Sequence, residues 1–159
     1  MNFHGILLSL NNGEGVRAVL WVAGCNHHCD GCHNKYTWDA DNGIRFTKND
    51  SLKRLINYVN KPYVDGLTLS GGDPMYPANR RMIVDIARDV KRETKKSIWM
   101  YTGYLWEQIK DESVMQYIDV VVDGEYKKEL PPDKYVGSNN QRIIDVQKSL
   151  QIGGVVLWD

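Results

Sequence analysis

No apolar run in this 159-residue sequence approaches the ~20 residues of a membrane-spanning helix, so a helical membrane protein is not expected. Neither sign of charge is in excess. Lys plus Arg number 20, as do Asp plus Glu, which leaves no global field to draw the chain to nucleic acid or to a membrane surface. The first residues, Met-Asn-Phe-His-Gly-Ile, lack the basic and then apolar segments of a secretory signal. Repeats, low-complexity tracts and dividing linkers are absent too, so one domain spanning 1–159 is expected. Cysteine is scarce and odd in number, with three residues close together, which argues against a secreted disulfide scaffold. These absences point to a cytoplasmic globular protein, and 42% apolar residues are enough to build its core.

What is present concentrates in one segment. All three cysteines fall in Cys25-x3-Cys29-x2-Cys32, within Gly-Cys-Asn-His-His-Cys-Asp-Gly-Cys-His. Electron-transfer clusters usually take four cysteines. Three thiolates without a fourth suit a cubic iron–sulfur cluster that keeps one iron free of protein ligands. Such a cluster is a reaction centre rather than a relay.

Around that segment, strands and helices alternate. Residues 16–22 form a β-rich apolar run that feeds the cysteine loop. Asp50 is a candidate cap for a helix whose stripe is Leu52, Leu55, Ile56 and Val59. A strand at 66–70 ends in Gly71-Gly72-Asp73-Pro74, and a second helix carries Met82, Ile83, Ile86, Ala87 and Val90 on one face. A strand at 97–102 breaks at Gly103, with a short helix starting near Leu105. The run 119–123 is apolar on both faces, as buried parallel strands are. The basic stretch 91–96 reads as a solvated C-terminal helical turn. The tail from Leu130 reads as irregular, with 154–158 a candidate last strand. The expected fold is therefore α/β with a parallel sheet. A complete eight-unit barrel takes roughly 200 residues or more, so about five or six units should make a partial, open (β/α) barrel. The cysteine loop, the GGDP turn, Thr102-Gly103-Tyr104 and Asp123-Gly124 all follow strands and should meet on the carboxyl edge of the sheet.

The Cx3Cx2C spacing resembles the cluster motif of the radical S-adenosylmethionine (SAM) enzymes. More closely, the chain is similar to the activating enzymes of anaerobic (class III) ribonucleotide reductase. That resemblance runs through Asn12-Gly-Glu-Gly-Val-Arg17, Trp21-Val-Ala-Gly-Cys25, Leu67-Thr-Leu-Ser-Gly-Gly-Asp-Pro74, Trp99-Met-Tyr-Thr-Gly-Tyr104, Val122-Asp-Gly-Glu-Tyr126 and Gly137-Ser-Asn-Asn-Gln-Arg142. Two departures are visible. Gly31 stands where many radical SAM proteins have an aromatic residue, and the usual Gly-Gly-Glu is Gly-Gly-Asp.

The resemblance implies a [4Fe–4S] cluster held by Cys25, Cys29 and Cys32, with SAM chelating the fourth iron. It implies that Gly71, Gly72, Asp73 and Pro74 receive the methionine end of SAM, that Gly31, Cys32 and His33 line its adenine, and that Thr102 borders the pocket. The implied reaction is reductive cleavage of SAM to a 5′-deoxyadenosyl radical, which takes a hydrogen from a glycine of the reductase. The implied partners are the large subunit of that reductase and an electron donor such as a flavodoxin-type reductant. His27, His28 and His33 admit two readings, metal ligands or polar loop residues. The second is favoured because three thiolates and SAM complete the cluster. The roles of residues 13–17 and 137–142 stay open. Two competing readings are a radical SAM enzyme acting on a small pterin-like metabolite and a structural Cys3His zinc module. The apolar strands and amphipathic helices weigh against the second, because zinc modules usually support chains that lack a core.

Overall fold

The computed structural model describes residues 1–159. Seven strands, β1 (Asn2–Ser9), β2 (Arg17–Val22), β3 (Ile44–Arg45), β4 (Gly66–Gly71), β5 (Ser97–Tyr101), β6 (Val120–Asp123) and β7 (Arg142–Asp145), form one sheet in the order β3-β1-β2-β4-β5-β6-β7. The pairs β2–β4, β4–β5 and β5–β6 are parallel, while β1, β3 and β7 are added antiparallel at the two edges. The architecture is thus mixed α/β, parallel at its centre. Helices α1 (Lys53–Val59), α2 (Arg80–Thr94), α3 (Trp106–Ile109) and α4 (Val146–Ile152) complete it. No helix is long and apolar enough to cross a membrane.

Strand periodicity sorts side chains onto two faces. Ala18, Leu20 and Val22 of β2, Leu67 and Leu69 of β4, Ile98 and Met100 of β5 and Val121 of β6 belong to the main core. There they join Leu55 and Val59 of α1 and Ile83, Ile86, Ala87 and Val90 of α2. Burying each of the Val, Leu, Ile and Met side chains among them stabilises the fold by roughly 1.5–3 kcal/mol. The alternate residues form the opposite face: Val19, Thr68, Trp99 and Val120 are in register across it, as are Trp21 with Ser70 and Tyr101 with Val122.

At one end of that opposite face, Trp99 packs edge-on against Trp158 (5.1 Å) and Tyr135 (5.5 Å). Gly13, at φ +117°, lies so close to Trp99 that a Cβ would stand 2.8 Å from the ring. Arg17 is 1% exposed and threads this end. It donates to Thr68 Oγ1 (3.2 Å), Ser97 Oγ (2.8 Å) and the Leu67 (2.5 Å) and Ser97 (3.0 Å) carbonyls, stitching β2, β4 and β5. Burial without a hydrogen-bonded carboxylate lowers its pKa to about 10. Residues 13–17 therefore close the amino-terminal end of the sheet.

Some expectations are revised. The cap before α1 is Thr47, which accepts from the Asp50 N–H, and a π-helical turn (Lys48–Leu52) leads into the helix; Asp50 lies inside the first turn. β1 lacks a clean alternation and carries a bulge at Phe3/Gly5, so it forms by pairing with β2 rather than by local pattern. The tail contains β7 and α4. The first is two isoleucines held by β6, and the second is capped by Asp145 (from Lys148 N–H, 3.0 Å) and stopped by Gly153 in the left-handed region. Residues 154–158 make one bridge, Leu157 to Ile144, rather than a full strand. The basic stretch ends α2 as expected, with Lys95 left-handed, while Lys96 donates to the Val59, Lys61 and Val64 carbonyls at the end of α1.

Candidate functional site

At the carboxyl ends of the parallel strands the four anticipated loops meet. β2 runs into Gly24, whose N–H donates to the Thr37 carbonyl (2.7 Å), and Cys25 N–H donates to Trp38 O (3.0 Å). The returning segment thus holds the start of the cysteine loop by backbone pairing. Gly71 and Gly72 pack against this same entry: Gly72 N–H donates to Val22 O and Asp73 N–H to Gly24 O, each at 2.8 Å. A Cβ at Gly72 would stand 2.5 Å from Gly24 O, and one at Gly71 2.5 Å from Val22 N. The close approach that requires these glycines is to the chain's own backbone.

Cys25, Cys29 and Cys32 line one cavity of ≈ 150 Å³, together with Gly71, Gly72, Asp73 and Thr102. All three thiols are free and partly exposed. Cys32 N–H donates to Cys29 O (3.1 Å), and Asn34 N–H points at the Cys32 sulfur (3.3 Å), a donor suited to a thiolate. Burial pushes the Cys25 thiol up to about 11 and raises that of Cys29 as well. Metal binding must therefore displace protons from them. No three His, Cys, Asp or Glu side chains converge as they would around one ion. Three thiols around a shared space, rather than about a point, fit a multi-atom cluster better than a zinc ion, whose thiolates all sit ~2.3 Å from one centre.

Asp73, 1% exposed, organises the wall opposite. Oδ1 accepts from Met75 N–H (2.7 Å) and Thr102 Oγ1 (2.9 Å); Oδ2 accepts from Gly103 N–H (3.0 Å) and faces His27 Nε2 (2.8 Å). The hydrogen bond to Asp73 raises the His27 pKa. Asn79 anchors the same turn from below, donating to Ala23 O (2.8 Å) and Asp73 O (3.2 Å) instead of capping α2.

The small cavity shares Cys32, Asn34, Ser70, Tyr101, Tyr126 and Gln141 with a larger cleft of ≈ 640 Å³ on the face away from the helices. His33 lines that cleft, its ring 5.3 Å from Tyr126. Gly31, at φ +72°, packs on Lys128, and Pro74 is buried; neither lines either cavity. His28 stacks on Trp38 (4.6 Å). Arg142 is committed to Asp123 (3.0 Å) and Glu107 (3.0 Å), whereas Gln141 accepts from Gly137 N–H and donates to Gly124 O, both at 2.9 Å, at the cleft wall.

Sequence reasoning assigned no role to Trp21, Ser70 and Tyr126, which line the cleft, and left open that of Gln141, a donor that lines it too. For Trp21 and Ser70 the available signal was strand period, since both alternate with main-core residues.

The stretch that carries this cysteine loop falls in the class of single-cluster iron–sulfur domains. Residues 11–144 match the family model of the 4Fe-4S single cluster domain. The chain is 49% identical over 134 residues to the anaerobic ribonucleoside-triphosphate reductase-activating protein of Enterobacteria phage T4, covering 83% of this chain and 85% of that one. It is 39% identical over 150 residues to the protein of the same description from Vibrio cholerae (90% and 97% covered), and 36% identical over 149 residues to that of Escherichia coli K12 (89% and 96%). The chain belongs to the family of anaerobic ribonucleoside-triphosphate reductase-activating proteins.

Proposed function

We propose that this chain is a radical SAM activase, which cleaves S-adenosylmethionine at a [4Fe–4S] cluster and generates a glycyl radical on anaerobic ribonucleoside-triphosphate reductase. The observation that carries this reading is the joining of a three-thiol cavity to a cleft large enough for a second molecule. Cys25, Cys29 and Cys32 would hold the cluster. When bound, the cluster and SAM would supply one-electron cleavage of the sulfonium, the source of a radical able to take the Cα hydrogen of a glycine.

The protein's own residues bind and orient. Gly71, Gly72, Asp73 and Thr102 build the wall that would receive the methionine end of SAM, while Pro74, buried and outside both cavities, continues their turn. The Asp73 carboxylate, its oxygens already hydrogen-bonded within the wall, adds negative charge near the ammonium without contacting it directly. Cys32 and His33 form the side toward the adenine, and Gly31 stays outside the cleft. His33 and Tyr126 bring rings to the cleft on which a planar base can stack. The sheet and its helices would form a partial, open (β/α) barrel. Its open side admits a loop of a large protein, which a closed barrel mouth would exclude. The large subunit of the reductase is the partner this implies, a flavodoxin-type protein the electron donor, and the cytoplasm the setting.

The test is anaerobic reconstitution with iron and sulfide, then dithionite and SAM, with assay of 5′-deoxyadenosine. Product formation, followed by a glycyl-radical EPR doublet once the reductase is added, is the expected result. A full cluster that yields no 5′-deoxyadenosine would show the proposal to be wrong.

A further inference from the structure

His27 lies midway between Cys25 and Cys29, yet its ring reaches the loops that follow three different strands. Nε2 is 2.8 Å from Asp73 Oδ2, after β4, and Nδ1 is 3.3 Å from Glu125 Oε1, after β6. The ring meets Tyr104, after β5, edge to face at 4.6 Å. Gly103 sits so close beneath it that a Cβ would stand 2.5 Å from the imidazole Cδ2. One side chain of the cysteine loop thus ties that loop to every strand end on its far side. It does so from a half-buried position, only 11% exposed at the side chain. In the proposed reading three cysteines supply the cluster's protein ligands. The imidazole is therefore free for another task, and its two nitrogens are occupied by two carboxylates on opposite sides.

We infer that His27 is a positioning residue that fixes the cysteine loop, and with it the cluster's unligated corner, against the loops that receive the second ligand. The inference rests on the proposed radical SAM reading. The Asp73 carboxylate supports it. Both of its oxygens are filled by Met75, Thr102, Gly103 and His27, so it acts as a fixed node between loops. A loop joined to that node through one rigid ring has little freedom to rotate. A loop without the ring keeps the Gly24 and Cys25 backbone pairings, the Tyr104 hydroxyl on Asn26 Oδ1 (3.2 Å), the Asp30–Lys128 ion pair and the His28–Trp38 stack, but no side chain that reaches Asp73. The ring presents a nitrogen to each of two acceptors on opposite sides, donating to both only as the imidazolium, whereas a glutamine amide donates from one nitrogen and can keep Asp73 only by giving up Glu125. The rung of substitutions is therefore graded.

The experiment compares wild type, His27→Gln, His27→Ala and Glu125→Gln after anaerobic reconstitution. Iron and sulfide per chain should be equal in all four, because the thiols are untouched. Cluster loss to a chelator, measured without SAM, should quicken about tenfold in His27→Ala and less in His27→Gln. The SAM concentration that half-saturates the change in the reduced-cluster EPR spectrum should rise about tenfold in His27→Ala, with partial recovery in His27→Gln. Glu125→Gln, which leaves the Asp73 contact in place, should shift both readouts by less than His27→Ala. Should His27→Ala fail to retain a cluster at all, His27→Gln and Glu125→Gln decide by the same two readouts. Wild-type chelator kinetics and SAM titration in His27→Ala, or in both of the milder variants, would overturn the inference. A wild type that holds its cluster but shows no spectral response to SAM would instead overturn the reading of the preceding section, leaving the chelator rates to decide on His27.

Discussion

At the scale of single residues, the three cysteines and one glycine carry the most specific expectations. Each of Cys25→Ala, Cys29→Ala and Cys32→Ala should lose the cluster and 5′-deoxyadenosine formation while keeping the far-UV spectrum of the wild type. The thiols are partly exposed at a cavity wall and contribute little to the core. Iron analysis beside circular dichroism checks both halves. Gly103→Ala makes a different point. Its φ is unremarkable, but an added methyl would collide with the His27 ring at 2.5 Å. The ring must move, so cluster loss to a chelator should quicken while melting temperature changes little. A variant that holds its cluster as the wild type does would show that the ring yields without consequence. This glycine was legible only as a strand breaker, because the side chain that demands it lies 76 positions away in sequence order, counting back from 103 to 27.

At the scale of elements, the ties between neighbours are ionic and unequal. Arg142, on β7, reaches Asp123 at the end of β6 and Glu107 in α3; both hydrogen-bonded carboxylates hold its proton more tightly than usual. Asp123 is 1% exposed, and without Arg142 it retains only the Trp106 N–H (2.7 Å). Arg142→Ala should therefore cost about 3 kcal/mol, read from the urea midpoint, with Arg142→Lys recovering part of it. Lys48, in the turn before α1, pairs with Asp85 of α2 at 2.8 Å. Hydrogen bonding to Lys48 lowers the Asp85 pKa. A carboxylate whose folded pKa is depressed adds stability above its unfolded value near ~4, and that contribution disappears as pH falls through the lower folded value. Since Lys48 is largely in solvent, the effect should stay below about 1 kcal/mol. Asp85→Asn should flatten that part of an acid denaturation curve, and an unchanged curve would count against it. The helices themselves were readable from their apolar stripes. The cap of α1 was not, because Asp50 and Thr47 are both good caps, and only the π-helical turn decides between them.

At the scale of the molecule, one sheet runs from the first residues to the last tenth of the chain, and its two faces have different duties. The helix-covered face holds the main core, while the other carries Arg17, an aromatic cluster and the cleft. Since no strand pairs outside this sheet, unfolding should be one cooperative transition, with calorimetric and van't Hoff enthalpies equal. Two resolved transitions would mean that the chain divides into separate domains. Local pattern determined much here: the cysteine spacing, the central strands, the stripes of α1 and α2 and the strand-end loops all follow from residue type and period, which act over a few positions. The edge strands, the closure of the sheet's far end by Gly13, Arg17 and Trp158, and the bridge from His27 to Asp73 and Glu125 were decided only by the tertiary structure. Each depends on groups distant in sequence meeting in space, and on a register and packing that no local propensity encodes.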